Sequence, residues 1–335
     1  MKYRNLGNSG LKVSRICLGA MMFGERTDAA EAERIVASAR GAGINFVDTA
    51  DAYAKGESER ITGKLIAAER EQWVLATKLG NHLGKGPNDG GLSRAWMMRA
   101  VDASLERLNT DWIDIYYFHL DDASTPIEES LTAMAEIIAA GKVRYFGISN
   151  FRAWRIAQTV ELCAKLGVPA PIVCQPYYNA MNRMPETEIL PACASYGLGV
   201  VPYSPLARGV LTGKYAPGQA PAADTRAGNK DKRMMETEFR EESMVMAQKL
   251  KAHAEKRGMS AGQFALNWVL NNRLVTSVLA GPRTIGQWNE YLGALEHSFS
   301  TEDEALVDSM VKSGHPSTPG FNDPKFPLTG RPVYI

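Results

Sequence analysis

Eight short apolar runs recur along the chain, and a helix-capable segment follows most of them. They are ICLGA (16–20), NFVDTA (45–50), WVLATK (73–78), IDIYYFH (113–119), VRYFGIS (143–149), IVCQPYY (172–178), GVVPYSP (199–205) and TSVLAGP (276–282). Their apolar character is continuous rather than alternating, the pattern of parallel strands buried on both faces. Between them, 28–40, 93–108, 127–140, 153–166 and 284–295 carry apolar residues three or four apart. Asp28, Ser93 and Thr284 suit N-caps, and Gly41, Gly141 and Gly167 suit helix stops. Eight such repeats predict a closed (β/α)8 TIM barrel. A doubly wound sheet would use fewer strands and usually a GxGxxG turn, and no strand here is followed by one. LTGK at 211–214 lacks the earlier glycine of a P-loop.

Tyr3 to Ser14 places turn residues between two short extended pieces and reads as an N-terminal β-hairpin. Residues 207–240 are polar and rich in glycine, proline and charge, a long loop or lid after strand 7. The Pro-rich tail from Gly314 to Ile335 is a second candidate cover for the barrel mouth. No linker interrupts residues 1–335, so a single barrel domain is expected.

With 45% apolar residues the chain can bury a sizeable core. A net charge of +1, without a basic run, argues against nucleic acid as partner. Cys17, Cys163, Cys174 and Cys193 fall in no metal-ligand spacing and read as reduced thiols of a cytoplasmic protein. The N-terminus lacks a signal peptide's apolar core, and Pro191, Pro202 and Pro205 interrupt the long uncharged stretch at 189–207, so no membrane span is expected. His82, His253, His297 and His315 have no ligand spacing with acids or cysteines, so no metal site is expected. The tryptophans 96, 154, 268 and 288 read as core; Met21, Met22 and Phe23 follow the first strand and are candidates to line a pocket.

In a barrel the C-terminal strand ends converge on one mouth, where chemistry sits. Asp48 ends the second run, Lys78 the third and His119 the fourth, and Tyr53 follows Asp48 by five residues. Taken singly, these are a turn former, a solvated lysine, a core histidine and a packing ring; together at equivalent strand ends they form a chemical set. A phenol is a poor acid at neutral pH, but a neighbouring ammonium favours its anion and lowers its pKa. Asp48 would hold Lys78 against Tyr53, and His119 would polarise a carbonyl oxygen. That set suits carbonyl reduction, with the hydride supplied by a nicotinamide cofactor because no side chain can supply one. A Schiff-base lyase acting through Lys78 is disfavoured, since Asp48 would keep the amine protonated. Asp51, one residue into the loop, reads as a turn former or the partner of a nearby basic group.

The stretches YRNLGNSGLKVSRICLGAMMFG, NFVDTADAY with GESERITGKLI, WVLATK, IDIYYFHLDD, GKVRYFGISNF, CQPYYNAMNR, VPYSPLARGVLTGKY and VLAGPRT, taken together, resemble the aldo-keto reductases over nearly the whole chain. The resemblance implies a catalytic tetrad of Asp48, Tyr53, Lys78 and His119. It also implies NADPH (NADP+) lying extended across the mouth. Ser149, Asn150 and Gln175 would hold the carboxamide, and Tyr203 would stack on the nicotinamide. Ser204, Leu206, Gly209 and Lys214 would line the pyrophosphate, and Gly281, Arg283, Gln287 and Glu290 the adenosine end. Arg283 beside free N–H groups at a helix start suits a 2′-phosphate and favours NADPH over NADH. The implied substrates are small aldehydes and ketones, or alcohols in reverse. Specificity would come from the loops after strands one and four, 207–240 and the tail. The resemblance extends to potassium-channel β subunits, which makes a partner-docking barrel the alternative function. Two positions depart from the family pattern: Ala54 stands where a glycine usually follows the tyrosine, and Tyr291 follows Glu290 where an asparagine is usual.

Overall fold

The computed structural model describes residues 1–328. The chain forms two compact units. The first comprises residues 1–177, 188–203 and 270–292. It opens with β1 (Tyr3–Asn5) and β2 (Lys12–Ser14), paired antiparallel with Tyr3 opposite Ser14. The eight predicted runs follow as β3 (Ile16–Gly19), β4 (Phe46–Asp48), β5 (Val74–Leu79), β6 (Ile113–Phe118), β7 (Val143–Ser149), β8 (Val173–Gln175), β9 (Gly199–Val200) and β10 (Val278–Ala280).

All eight pair in parallel in the order β10-β3-β4-β5-β6-β7-β8-β9. The two ends of that sheet meet. Thr276 donates its N–H to the Val200 carbonyl and Leu279 donates to the Pro202 carbonyl, so the sheet curls into the expected barrel. Its interior holds Cys17, Phe46, Val74, Ala76, Ile115, Tyr117, Val173 and Val201, with Leu6 and Val13 of the hairpin packed on the same cluster. Removing these side chains from water is the main driving force for closure. Gly147 lies opposite Tyr117 in the ladder, and a Cβ there would stand 2.6 Å from the Tyr117 ring. The absent side chain is what lets so large a ring fill the barrel.

Helices Ala29–Gly41, Arg94–Leu108, Ile127–Ala139 and Ala153–Leu166 match the apolar spacing. Asp28, Ser93 and Thr284 accept backbone N–H groups as predicted caps. The first helix, however, runs through Gly41, and Gly43 takes the left-handed turn (φ 77°). Helix Ile189–Tyr196 was not expected; Pro191 lies in its first turn, where a missing N–H costs no intrahelical bond. Trp154 is 63% exposed, with the Arg155 guanidinium 5.6 Å from its ring, and is not core. Phe23 is fully buried and Met22 nearly so, which leaves Met21 as the half-exposed member of that trio.

The second unit comprises residues 178–187, 204–269 and the chain from 293. It contains the stretch after strand 7, with a 3-10 turn at Ala207–Thr212 and a helix at Lys232–Thr237. Asp303, capping helix Thr301–Met310, receives His253 at 2.7 Å and Arg257 at 2.8 Å. From Gly314 to Leu328 the tail packs within this unit. Ser317 bonds the Met181 carbonyl, Asp323 pairs with Arg233, and Phe321 lies 3.8 Å beneath the Arg240 guanidinium. Positions 329–335 of the predicted tail lie outside the described residues. No helix among the described residues is long and apolar enough to cross a membrane.

Candidate active site

Parallel register carries Asp48, Lys78 and His119 to one end of the barrel. Gly19 stands opposite Asp48, and Asp48 opposite Ala76. The ladder continues past β4, since Thr49 and Asp51 donate to the carbonyls of Ala76 and Lys78. His119 likewise continues β6 by donating to the Leu79 carbonyl. Each side chain is therefore set by backbone hydrogen bonds on a neighbouring strand rather than by a free loop.

Lys78, fully buried, donates its ammonium to Asp48 Oδ1 and, at 2.7 Å, to the Thr49 carbonyl. The other Asp48 oxygen accepts from Gln175 Nε2 at 2.9 Å. The ammonium lies 5.0 Å from the centre of the Tyr53 ring and 5.9 Å from that of Tyr117. Burial by itself pulls Lys78 down, but the Asp48 carboxylate and Tyr53 outweigh it, and the ammonium is held above its usual range. Burial pushes the Asp48 carboxyl up, and Lys78 and Gln175 pull it back. The pair is a buried, hydrogen-bonded ion pair, the arrangement a buried charge requires.

Tyr53 packs edge-on against His119 with ring centres 5.8 Å apart. The expected lowering of the phenol does not occur. The hydroxyl's surroundings desolvate it, and burial raises its pKa more than Lys78 lowers it. Asn81 Nδ2 lies 2.9 Å from His119 Nδ1. An amide nitrogen can only donate, so Nδ1 accepts and the ring proton sits on Nε2. Asn81 escaped the strand-end reading, although it lies two residues past β5 at the same mouth.

Asp51 departs most from expectation. It is 2% exposed; no side chain among the described residues hydrogen-bonds either carboxylate oxygen, and the backbone N–H of Ala52 is directed at the carboxylate. The nearby cation is taken: Arg107 Nε bonds Glu59 Oε2 at 2.6 Å, while Glu59 Oε1 accepts from Thr77 at 2.6 Å. Asp51 is thus the expected turn former, inside the turn closed by the Tyr53 N–H and the Ala50 carbonyl, but it is buried and pairs with no base.

After Tyr53 the chain turns through Ala54 (φ 48°), Lys55 (φ 56°) and Gly56 (φ 88°), all left-handed. Ala54, where a glycine was the family's choice, therefore occupies a conformation that costs an L-residue about 1–2 kcal/mol. Ala54→Gly is expected to stabilise the protein by up to about 1 kcal/mol after the entropy glycine loses on folding. A urea transition midpoint that does not rise would show that Ala54 carries no strain.

The residues expected at a nicotinamide form one hydrogen-bonded string in the first unit. Tyr203 stacks on Tyr177 at 5.6 Å and donates to Asn150 Oδ1 at 2.8 Å. Asn150 (φ 60°) donates to the His119 carbonyl at 2.8 Å and to Ser149 Oγ at 3.1 Å. Ser149 donates to the Gln175 carbonyl at 2.8 Å. Sequence reasoning named these residues but not the string that joins them to His119 and Asp48.

Gly281 lies exposed just beyond β10. At the start of helix Ile285–Gly293, the Arg283 N–H donates to Gln287 Oε1 at 2.8 Å. The Ile285 N–H donates to Glu31 Oε1 at 2.6 Å. These two N–H groups, expected to be free, are occupied by side chains. Glu290 and Tyr291 are both half-buried on this helix. In the second unit, Ser204 (φ 56°), Ala207 (φ 46°), Arg208 (φ 52°) and Gly209 (φ 100°) give four left-handed residues within six positions. Leu206 accepts from the N–H groups of Gly209 and Leu211, and Lys214 lies 5.3 Å over the Tyr215 ring. Backbone of this kind turns successive N–H groups to one side.

The Aldo/keto reductase family matches residues 15–312. The chain is 39% identical over 301 residues to a probable voltage-gated potassium channel subunit beta of Oryza sativa subsp. japonica, covering 88% of this chain and 92% of that protein. It is 34% identical over 324 residues to L-glyceraldehyde 3-phosphate reductase of Escherichia coli (strain K12), covering 94% and 93%. With the oxidoreductase YrpG of Bacillus subtilis (strain 168) it shares 36% over 331 residues, 95% and 98% of the two chains. On the strength of this match and of its parallel eight-stranded barrel, the chain belongs to the aldo/keto reductase family.

Proposed function

We propose that the protein is a cytoplasmic, NADPH-dependent oxidoreductase that reduces small aldehydes or ketones to alcohols and runs the reverse oxidation. The buried Asp48–Lys78 pair facing the Tyr53 ring carries this reading. His119 Nε2 donates to the carbonyl oxygen and orients it. Tyr53 passes its hydroxyl proton to that oxygen as the carbonyl carbon becomes saturated. The phenolate left behind is stabilised by Lys78, which Asp48 and the Thr49 carbonyl hold in place. A nicotinamide bound at the Tyr203–Asn150–Ser149 string supplies the hydride that no side chain can supply.

The residues present fit such a cofactor. Tyr203 offers an aromatic ring, and Asn150, Ser149 and Gln175 offer amide and hydroxyl groups for a carboxamide. The Glu31 carboxylate that accepts the Ile285 N–H supports an anion site at this helix start beside Arg283. A 2′-phosphate bound there displaces Glu31 and gains Arg283. Arg283→Ala is expected to raise the KM for NADPH about tenfold to hundredfold, the size of one lost charge-assisted contact, with little change for NADH. Equal changes for both cofactors would remove Arg283 from 2′-phosphate recognition.

Turnover tests the whole reading. Purified protein with NADPH and a panel of short-chain, sugar-derived and aryl aldehydes is expected to consume NADPH steadily. Cofactor binding without turnover on any of them would favour instead a regulatory barrel that docks on a partner, as the channel-subunit relatives are named.

A further inference from the structure

The backbone of His119 is held on both sides. Its N–H donates to the Leu79 carbonyl at 2.8 Å, and its carbonyl accepts Asn150 Nδ2 at 2.8 Å. Those bonds leave the ring free to turn over about its own axis, exchanging Nδ1 with a carbon, or to move its proton between the two nitrogens. A contact that settles both is Asn81 Nδ2, 2.9 Å from His119 Nδ1. Asn81 is itself placed by a pinned loop. The Gly80 carbonyl accepts the Gly91 N–H at 3.2 Å, and Leu83 donates to the Asp89 carbonyl at 2.9 Å. Gly80 takes φ 122°, a value that favours glycine, and a Cβ there would lie 3.8 Å from the His119 backbone nitrogen. The loop therefore runs close against the end of β6 and brings the Asn81 amide to the ring.

We propose that Asn81 is a positioning residue for His119: its amide holds Nδ1 as the accepting edge of the ring and so makes Nε2 the N–H donor that meets the carbonyl oxygen. The polarity of this contact matters. An acceptor at Nδ1, such as a carboxylate or a backbone carbonyl, would place the proton there and leave Nε2 a base. A carbonyl oxygen offers only lone pairs and needs a donor. With an amide N–H at Nδ1, His119 polarises that oxygen while Tyr53 passes the proton. Asn81 is uncharged and half-buried, so it orients the ring without adding a charge beside the Asp48–Lys78 pair.

The catalytic part of this inference rests on the carbonyl-reduction reading, whereas the tautomer is read by NMR without turnover. The chain has five histidines, and with isotope-labelled imidazole nitrogens the His119 ring is the signal lost in His119→Ala. At about pH 8, above the usual imidazole range, wild-type His119 is expected to carry its proton on Nε2 and to leave Nδ1 bare. Asn81→Asp keeps the size but offers acceptors alone, and is expected to draw a proton onto Nδ1. A proton on Nδ1 in the wild type, or a bare Nδ1 in the Asp variant, overturns the proposal whatever the protein reduces. In the kinetic arm, Asn81→Leu is expected to lower kcat/KM for an aldehyde about tenfold to hundredfold, with NADPH binding within about twofold of wild type. In a His119→Ala background the same substitution is expected to change kcat/KM by less than about twofold, because Asn81 acts through the ring. Equal losses in both backgrounds, or no loss from Asn81→Leu alone, overturn the positioning role. A bare Nδ1 in a protein that reduces no carbonyl would refute the reaction and leave the hold of Asn81 on the ring standing. If the Leu variant does not fold, the wild-type and Asp-variant spectra decide.

Discussion

Tyr53→Phe is expected to lower kcat for carbonyl reduction by about 10²- to 10⁴-fold while NADPH binding, read by fluorescence titration, stays within about twofold of wild type. The substitution removes one atom and keeps the ring. The edge-on contact with His119 at 5.8 Å and the Lys78 ammonium 5.0 Å from the ring centre both survive it. The Asp48–Lys78 pair does not depend on the hydroxyl. What goes is the only group in the proposed set that carries a transferable proton beside a stabilising cation. A Phe variant that reduces aldehydes at the wild-type rate would assign the proton to another residue.

Lys78→Met is expected to cost both activity and about 3–5 kcal/mol of stability. Lys78 is 0% exposed and Asp48 1% exposed, so removing the ammonium strands a carboxylate in the barrel with Gln175 as its remaining side-chain donor. The double variant Asp48→Asn, Lys78→Met is expected to recover most of the stability and none of the activity. Removing both partners of a buried pair leaves no unpaired charge, but it leaves the Tyr53 phenolate without support. Urea unfolding of the single and double variants measures the first half and the aldehyde assay the second. A single variant as stable as wild type would mean that Asp48 is neutral in the folded protein.

The neighbouring acids show why one kind of residue was legible and another was not. Asp48, Lys78 and His119 stand at strand ends, and in a parallel barrel the strand end is a position in space as well as in sequence. Asp51 stands on the loop, where the residue type suggests a turn former or the partner of a base, and only the turn is found. Its burial follows from helices Glu57–Ile66 and Arg94–Leu108 closing over it and from Glu59 taking Arg107 first. No spacing rule describes competition for a cation among residues 48 positions apart. Glu31 is similar. On its helix it reads as an exposed first-turn acid, yet it reaches across to the N–H of Ile285, 254 residues away. The expected lowering of Tyr53 erred in its net direction. The lysine was placed correctly, but the desolvation of the phenol, which depends on how tightly the loop packs, outweighs it.

Local chemistry alone determined the eight strands, the hairpin, most caps and the four polar residues at one barrel mouth, because strand period, apolar runs and capping side chains act within a few residues. Tertiary structure decided which acids are shut away from water, which cations are spoken for, and which helix N–H groups are occupied. Those outcomes depend on distances between segments far apart in the chain and on the exclusion of water from between them.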